Sequence, residues 1–161
     1  MVFDLTKYQL TEANSIDMSA TKKNLVVFLN AYQTARERVD YPRVPKITQS
    51  FNLIPSSNHI QRTGEAEILL IQKEEYIEEL QELHDLFVNG YLAISHINPD
   101  VTTRRRKIFF LRYLQRLTIL QTADRLFISE GAVKYDSRQA IIQFCDATGL
   151  TILKSETESM K

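Results

Sequence analysis

The chain has 161 residues, of which 43% are apolar and 25% are charged, and its formal net charge is zero. These fractions are typical of a globular domain and exclude a fibrous or disordered protein. No apolar run approaches the ~18 residues that a membrane span needs, and the first residues lack the basic stretch of a signal peptide, so we expect a cytoplasmic protein with no membrane partner.

The zero net charge averages three unlike segments. Residues 1–64 carry eight bases and five acids, residues 65–90 carry eight acids and one base, and residues 102–144 carry nine bases and three acids. Such a sharp reversal of charge between segments indicates different partners for them, which the net charge of the whole chain does not reveal. The basic segment suits a phosphate backbone, where each neutralised phosphate releases counterions, whereas the acidic segment is expected to avoid DNA. The alternative is that both segments are solvated helix faces.

The N-terminal part predicts a short tail followed by a helix. Residues 1–18 carry little periodicity and are expected to form a loose or partner-docked tail. Between residues 19 and 40, apolar side chains recur at three- and four-residue steps, which predicts an amphipathic helix capped by Ser19 or Thr21. Its expected inward face consists of Leu25, Val26, Leu29, Tyr32 and Ala35.

An irregular connector and a long acidic helix follow. Prolines, serines and a glycine predict the connector over residues 41–64, within which residues 46–51 form a short strand or an extended segment. From residue 65 to about 96 the spacing predicts a long helix with a narrow apolar seam, in which Gly90 weakens the helix and marks a bend. The seam consists of Leu69, Tyr76, Leu80, Leu83, Phe87 and Ile94. The helix over residues 65–97 is therefore a candidate surface for self-association, with ordinary core packing as the alternative.

A C-terminal helical domain is predicted over residues 98–150, with a tail over residues 151–161. Asn98 suits the cap of a supporting helix, and Pro99 suits its first position, where a missing N–H leaves no hydrogen bond unmade. The expected apolar stripe of this helix consists of Ile108, Phe110, Leu111 and Leu114. The basic residues expected outside the stripe are Arg104, Arg105, Lys107 and Arg112.

A helix-turn-helix is predicted within this domain, at about residues 118–148. Thr118 and Gln121 form a capping-box pair that starts a short helix, Phe127 and Ile128 form the turn, and Ser129 caps the second helix. The expected inward residues are Ile119, Ala123, Leu126, Ile128, Val133, Ala140, Ile141 and Phe144, and Gly149 is expected to end the second helix.

The second helix of such a pair enters the major groove with its N-terminal residues on the base edges. Gly131 and Ala132 are small and permit a close approach, and Ser129 with the free N–H groups of the first turn suits a phosphate oxygen. Arg138 suits either guanine or a phosphate. The predicted DNA-binding residues are Ser129, Gly131, Ala132, Lys134, Tyr135, Arg138, Arg104, Arg105 and Arg112.

Residues 112–118, 123–130 and 132–134 resemble the last helix-turn-helix domain of bacterial sigma factors, and more closely the ArpU/RinA-type regulators of phages and prophages of Gram-positive bacteria. Residues 45–51 are similar to the connector of that family. The resemblance implies control of phage late genes. The chain departs from the family pattern in its small residues at 131 and 132, and in Asp136, an acid on or beside the reading helix.

No pattern in the chain is typical of a catalytic, cofactor or metal site. His59, His84 and His96 are isolated, and none has a metal-ligand spacing to Cys145 or to a carboxylate. The single cysteine also excludes an internal disulfide and is expected to be a small packed residue. No glycine-rich phosphate loop or nucleophile elbow is present. We therefore expect no enzyme, no cofactor and no metal.

Together, these patterns predict an all-α protein with an N-terminal helix, an irregular connector, a long acidic helix and a C-terminal sigma-like helix-turn-helix domain. Residues 19–97 are the predicted association region. The expected function is that of a sequence-specific, double-stranded DNA-binding transcriptional regulator, an activator of phage or prophage late genes in the bacterial host, with RNA polymerase as a further partner. The alternatives are a phage small terminase-type DNA-packaging protein and an interaction module that has lost DNA binding.

Overall fold

The computed structural model of the protein describes residues 15–40 and 62–154. Within these residues the fold is helical and contains no strand, which confirms the all-α prediction. The helices are α1 (Met18–Asp40), α2 (Arg62–Ala93), α3 (Pro99–Phe109), α4 (Ile119–Leu126) and α5 (Glu130–Thr148), and a π-helical turn at Phe110–Leu114 extends α3. The segment predicted to be extended, residues 46–51, lies outside the described residues, as do the outer parts of both predicted tails. No described helix has the length and apolar character needed to cross a membrane.

The described residues divide into two compact units, whose boundaries fall within α1 and within α2. The larger unit contains residues 15–30 and 85–154, and the smaller unit contains residues 31–40 and 62–84. The helix-turn-helix prediction falls entirely in the larger unit.

In the smaller unit, polar side chains join α1 to α2. The Tyr32 hydroxyl lies 2.9 Å from Nδ1 of His84. The Arg38 guanidinium donates to Glu79 at 3.0 Å and lies 5.6 Å from the centre of the Tyr76 ring. Tyr32 is buried, as predicted for the inward face of α1. His84 therefore has a structural hydrogen-bond partner rather than the surroundings of a metal ligand.

Phe144 of α5 lies at the centre of the larger unit's core. Its ring stacks on that of Phe109 at 4.8 Å between centroids, and the rings of Phe28 and Phe87 each lie 5.9 Å away. A Cβ atom on Gly90 of α2 would lie 2.7 Å from the Phe144 ring. The glycine therefore permits a close crossing of α2 and α5, a role that the sequence analysis did not predict.

The start of α1 differs from the prediction. Oδ1 of Asp17 accepts hydrogen bonds from the backbone N–H groups of Ser19 and Ala20, each at 3.0 Å, so Asp17 caps the helix. Thr21 is fully buried, and its hydroxyl oxygen accepts from the N–H of Ile152 at 3.1 Å. The prediction that Ser19 or Thr21 is the cap is therefore wrong. The inward face differs at one position, because Val26 is 48% exposed while Phe28 is buried.

The inner ends of the two predicted tails pack against each other. Ile16 and Leu153 form an isolated antiparallel bridge, flanked by hydrogen bonds from Asp17 N–H to the Ile152 carbonyl and from Lys154 N–H to the Ser15 carbonyl. In addition, the side-chain amide of Asn24 donates to the carbonyl of Leu150 at 3.2 Å. These contacts hold the first turns of α1 beside the end of α5.

Candidate nucleic-acid interface

The supporting helix α3 begins as predicted and ends in a widened turn. Oδ1 of Asn98 accepts from the N–H of Asp100 at 2.8 Å, and a proline occupies the first turn. At the other end, the N–H of Gln115 donates to the Phe110 carbonyl at 3.1 Å, which closes the π-helical turn. Ile108 and Leu111 are buried as predicted, but Phe110 is exposed, so its assignment to the apolar stripe is wrong.

The signals that start and end α4 and α5 are local, and the structure confirms them. Thr118 and Gln121 form both hydrogen bonds of a capping box, at 3.2 and 2.9 Å. Phe127 adopts a left-handed conformation (φ 55°, ψ 44°) at the end of α4. Oγ of Ser129 accepts from the N–H of Ala132 at 3.2 Å, which caps α5, and Gly149 ends it with φ 72°. Only residues 127–129 separate the two helices, so α4 and α5 form a helix-turn-helix arrangement.

The inward faces of α4 and α5 pack on α3 and on each other. Ile108, Ala123 and Val133 form a buried cluster, against which Ile119, Leu126 and Ile128 pack. Further along α5, Ala140, Ile141 and Phe144 are buried. The predicted inward residues, including Ile128 beneath the turn, are therefore confirmed.

The opposite face of α5 is open to solvent over its first half. Lys134, Tyr135 and Arg138 are exposed, as predicted, with Tyr135 at 63%. Ser129 and Gly131 are also exposed, whereas Ala132 is half-buried. The Lys134 ammonium lies 3.8 Å from the Glu130 carboxylate. This face offers two cations, a phenol and the start of a helix to an external partner.

Asp136 projects inward from α5 and pairs with two arginines of α3. Its carboxylate is 1% exposed, with Oδ2 at 2.7 Å from Nε of Arg104 and Oδ1 at 3.4 Å from Nε of Arg105. Arg105 is 4% exposed, and it also donates to the Ser95 carbonyl at 3.0 Å. The prediction that Arg105 lies outside the apolar stripe is wrong, and its burial leaves no surface for a DNA contact. Arg104 remains partly exposed but directs its Nε at Asp136.

Arg106 likewise has internal partners. Its guanidinium donates to the carbonyls of Ile94 and Leu92, each at 2.9 Å, and lies 5.8 Å from the centre of the Tyr91 ring. These carbonyls belong to the end of α2 and the residue that follows it, where helix carbonyls lack intrahelical partners. Within the basic run 104–107, Arg105 is buried, Arg104 and Arg106 are half-buried, and only Lys107 is exposed. The basic segment therefore presents less positive charge than its composition predicts.

A cavity of about 280 Å³ brings together Arg112 from the π-helical turn, Lys134 and Arg138 from α5, and Lys22 from α1. We call these four residues and the cavity between them the basic cleft. Its other lining residues are Met18, Tyr113, Ile119, Ser137 and Ile141. Arg112, Lys134 and Arg138 are among the predicted DNA-binding residues, and Lys22 is not. Lys22 precedes α3, α4 and α5 in the chain, and no local pattern relates it to them.

Cys145 is packed in the core, and His96 takes part in a local hydrogen bond. Burial raises the pKa of the Cys145 thiol to about 12, and the neighbouring Asp146 carboxylate adds to the increase, so the thiol stays protonated at neutral pH. The side chain of Cys145 is fully buried, as predicted for a small packed residue. Nδ1 of His96 accepts from the N–H of Asn98 at 3.0 Å. Across residues 15–40 and 62–154, no cluster of histidine, cysteine or acidic side chains is suited to hold a metal ion.

Comparison with known proteins gives one distant similarity. No family model matches the chain, and no solved structure matches it significantly. The chain is 23% identical over 136 residues to an uncharacterized phage-related protein of Listeria innocua, and the alignment covers 83% of this chain and 88% of that protein. The similarity extends over most of both chains, well beyond the helix-turn-helix. The resemblance to ArpU/RinA-type regulators remains a prediction.

Proposed function

We propose that this protein is a sequence-specific transcriptional regulator of phage or prophage origin that places α5 in the major groove of double-stranded DNA. The observation that carries the proposal is the packed α4–turn–α5 pair, which exposes Lys134, Tyr135 and Arg138 on the first half of its second helix. In helix-turn-helix proteins this half of the second helix meets the base edges. The similarity to a phage-related protein supports the proposed origin.

The electrostatics of α5 favour a polyanionic partner. The pair between Lys134 and Glu130 is exposed, with side chains at 60% and 52%, and its charges are 3.8 Å apart. Exposed pairs of this kind contribute only about 0–1 kcal/mol. A phosphate can therefore replace Glu130 as the partner of Lys134 at little cost. Ser129 and the first turn of α5 add backbone N–H groups and the positive end of the helix dipole.

The burial of Asp136 keeps its negative charge away from the face of α5 that is proposed to meet DNA. An acid on the exposed face of α5 would repel phosphates and weaken DNA binding. Asp136 instead lies on the inward face, between the guanidinium groups of Arg104 and Arg105. Its charge is paired inside the protein and does not oppose a ligand of the exposed cations of α5.

The wider biological role rests on the sigma-like pattern of residues 112–134. We infer that the protein activates phage late genes in the host cytoplasm and contacts RNA polymerase, and that it is not an enzyme. Self-association through residues 65–97 is part of this proposal. Exposed aliphatic side chains on α2, among them Leu70, Ile71, Leu86 and Leu92, supply apolar surface for it.

The proposal is tested by DNA affinity over a range of salt concentrations. Wild-type protein is expected to bind duplex DNA with an affinity that falls steeply as salt rises, because binding releases counterions from the phosphates. The double variant Lys134→Ala/Arg138→Ala is expected to bind about tenfold more weakly or worse, since each lost base or phosphate contact contributes on the order of 1 kcal/mol or more.

The matched control is Lys23→Ala/Lys107→Ala, which removes the same two charges from exposed positions on α1 and α3. We expect it to bind much as the wild type does. Equal losses in the two double variants would mean that α5 has no special role. Undetectable binding by the wild type at low salt would refute the proposed function.

A further inference from the structure

The basic cleft has the charge and the hydrogen-bond donors of a ligand site. We infer that it binds a phosphate group, held by Lys22, Arg112, Lys134 and Arg138. Four cationic side chains line one cavity, and none of the described residues that line it is acidic. Like charges that converge repel one another; the exposed Glu130 carboxylate, 3.8 Å from Lys134, offsets part of that repulsion, and an anion in the cavity relieves more of it. The cleft therefore has the electrostatic character of an anion site.

One donor of a cleft residue has no acceptor within residues 15–40 and 62–154. Nε of Arg112 is buried and makes no hydrogen bond, although almost all buried polar groups in proteins have a partner. The Nη1 atom of Arg112 makes a long hydrogen bond of 3.4 Å to the Leu117 carbonyl. The Arg112 guanidinium therefore makes fewer hydrogen bonds than its five N–H donors allow.

Two hydroxyl groups in the cleft supply a further donor. The oxygens of Tyr113 and Ser137 lie 3.1 Å apart, so one hydroxyl donates to the other. The proton of the accepting hydroxyl is then available to an acceptor in the cavity. Met18, Ile119 and Ile141 complete the wall with apolar side chains.

This set of donors fits a phosphate better than a carboxylate. Guanidinium groups pair with phosphate oxygens in a fork, and lysine ammonium groups bind phosphates as point charges. A phosphate offers more oxygens and, as a monoester, more negative charge than a carboxylate. Four cations and a hydroxyl donor around about 280 Å³ therefore match a phosphate.

Two sources can supply that phosphate. One is the DNA backbone beside α5, because Lys134 and Arg138 belong both to the exposed face of α5 and to the cleft; this source rests on the proposed function. In that case Lys22 extends the DNA-binding surface onto α1. The other source is a free phosphorylated small molecule, which does not depend on DNA binding.

The experiment compares Lys22→Gln with Lys23→Gln in the full chain. Both lysines are exposed on α1, but only Lys22 lines the cleft, so the two variants differ in position and not in charge. The first readout is the melting temperature in inorganic phosphate against sodium chloride at equal ionic strength. If the cleft takes free phosphate, the wild type and Lys23→Gln gain stability at phosphate concentrations above Kd, and Lys22→Gln gains clearly less.

The second readout is DNA affinity over a salt series. If the cleft takes a backbone phosphate, Lys22→Gln lowers the slope of log affinity against log salt by about one, and lowers affinity roughly eightfold at 0.1 M salt relative to Lys23→Gln. Arg112→Gln should behave like Lys22→Gln in whichever readout responds. Because Arg112 also bonds to Leu117, the exposed Lys22 provides the decisive variant.

Either response supports the inference and identifies the source of the phosphate. The inference is overturned if Lys22→Gln and Lys23→Gln behave alike in both readouts. The proposed function fails separately, if the wild type does not bind DNA. The response to inorganic phosphate still tests the cleft in that event, so the two failures are distinguishable.

Discussion

Asp136 shows how one buried carboxylate determines whether neighbouring arginines are available to an external ligand. In sequence it is an acid on the helix predicted to read DNA, and Arg104 and Arg105 are members of a basic run. In the structure the three side chains form one ion-paired group that joins α5 to α3, in which the buried carboxylate of Asp136 meets the buried Arg105 and the partly exposed Arg104. This group fixes the orientation of α5, because Asp136 can reach both arginines only when Lys134, Tyr135 and Arg138 face outward.

Replacing Asp136 by Asn should destabilise the fold strongly. The variant leaves the buried guanidinium of Arg105 without a counter-charge, and breaking a buried ion pair in this way costs about 3–5 kcal/mol. The measurement is the free energy of unfolding in urea. Asp124→Asn is the matched control, since Asp124 is an exposed acid of the same helix-turn-helix, and its loss should change stability by about 0.5 kcal/mol or less. Similar stabilities of the two variants would contradict the role assigned to Asp136.

At the scale of elements, α5 packs against α3, α4 and the end of α2. Its outward face carries the candidate site, and its inward face carries Phe144 and the positions that α2 approaches closely. A shift of α2 would therefore displace α5, the helix that is proposed to read DNA. Gly90 is the residue that permits this close approach.

Alanine at Gly90 and at Gly131 should change stability in opposite directions. Both glycines lie in helices, where alanine is favoured by up to about 1 kcal/mol. At Gly90 the added Cβ would lie 2.7 Å from the Phe144 ring and from Cγ2 of Thr148, and overpacking of this kind costs about 1–3 kcal/mol. At Gly131 its nearest neighbour would be Oγ of Ser129 at 3.9 Å. We expect Gly90→Ala to lower the melting temperature and Gly131→Ala to keep or raise it. A Gly90→Ala variant more stable than the wild type would show that α2 does not approach α5 so closely.

The elements that the sequence predicted well are those with local signals. The caps at Asn98, Thr118 and Ser129 and the stop at Gly149 depend on residues within a few positions of each other, and all four are confirmed. The errors arise at residues whose burial is determined by a partner that is distant in the sequence. Arg105 is buried because Asp136 reaches it from α5, a contact that no periodicity in α3 reveals.

The same distinction applies to the candidate site. Lys134, Tyr135 and Arg138 were predicted to be exposed because they lie opposite the apolar positions of one helix, and the structure confirms this. Lys22 was missed because its place in the basic cleft depends on how α1 packs beside α5. That packing involves the inner ends of the two predicted tails, which carried no periodic signal.

In the molecule as a whole, the zero net charge conceals oppositely charged segments of the chain. Residues 65–90 carry eight acids and one base, and the cations of α5 and the basic cleft lie in residues 22 and 112–138. A DNA ligand would be attracted by the second set and repelled by the first. This arrangement is consistent with the proposed regulator, in which α5 binds DNA and residues 65–97 contact protein.

Selection from random duplex DNA tests the central claim, that α5 reads sequence, most directly. Full-length wild-type protein should enrich a short preferred motif, and the control Lys23→Ala/Lys107→Ala should enrich the same motif. Lys134→Ala/Arg138→Ala should lose or relax that preference at the contacted positions, because base contacts and not charge alone carry specificity. If the wild type enriches no motif, or if the α5 double variant enriches the same motif as the wild type, α5 does not read DNA.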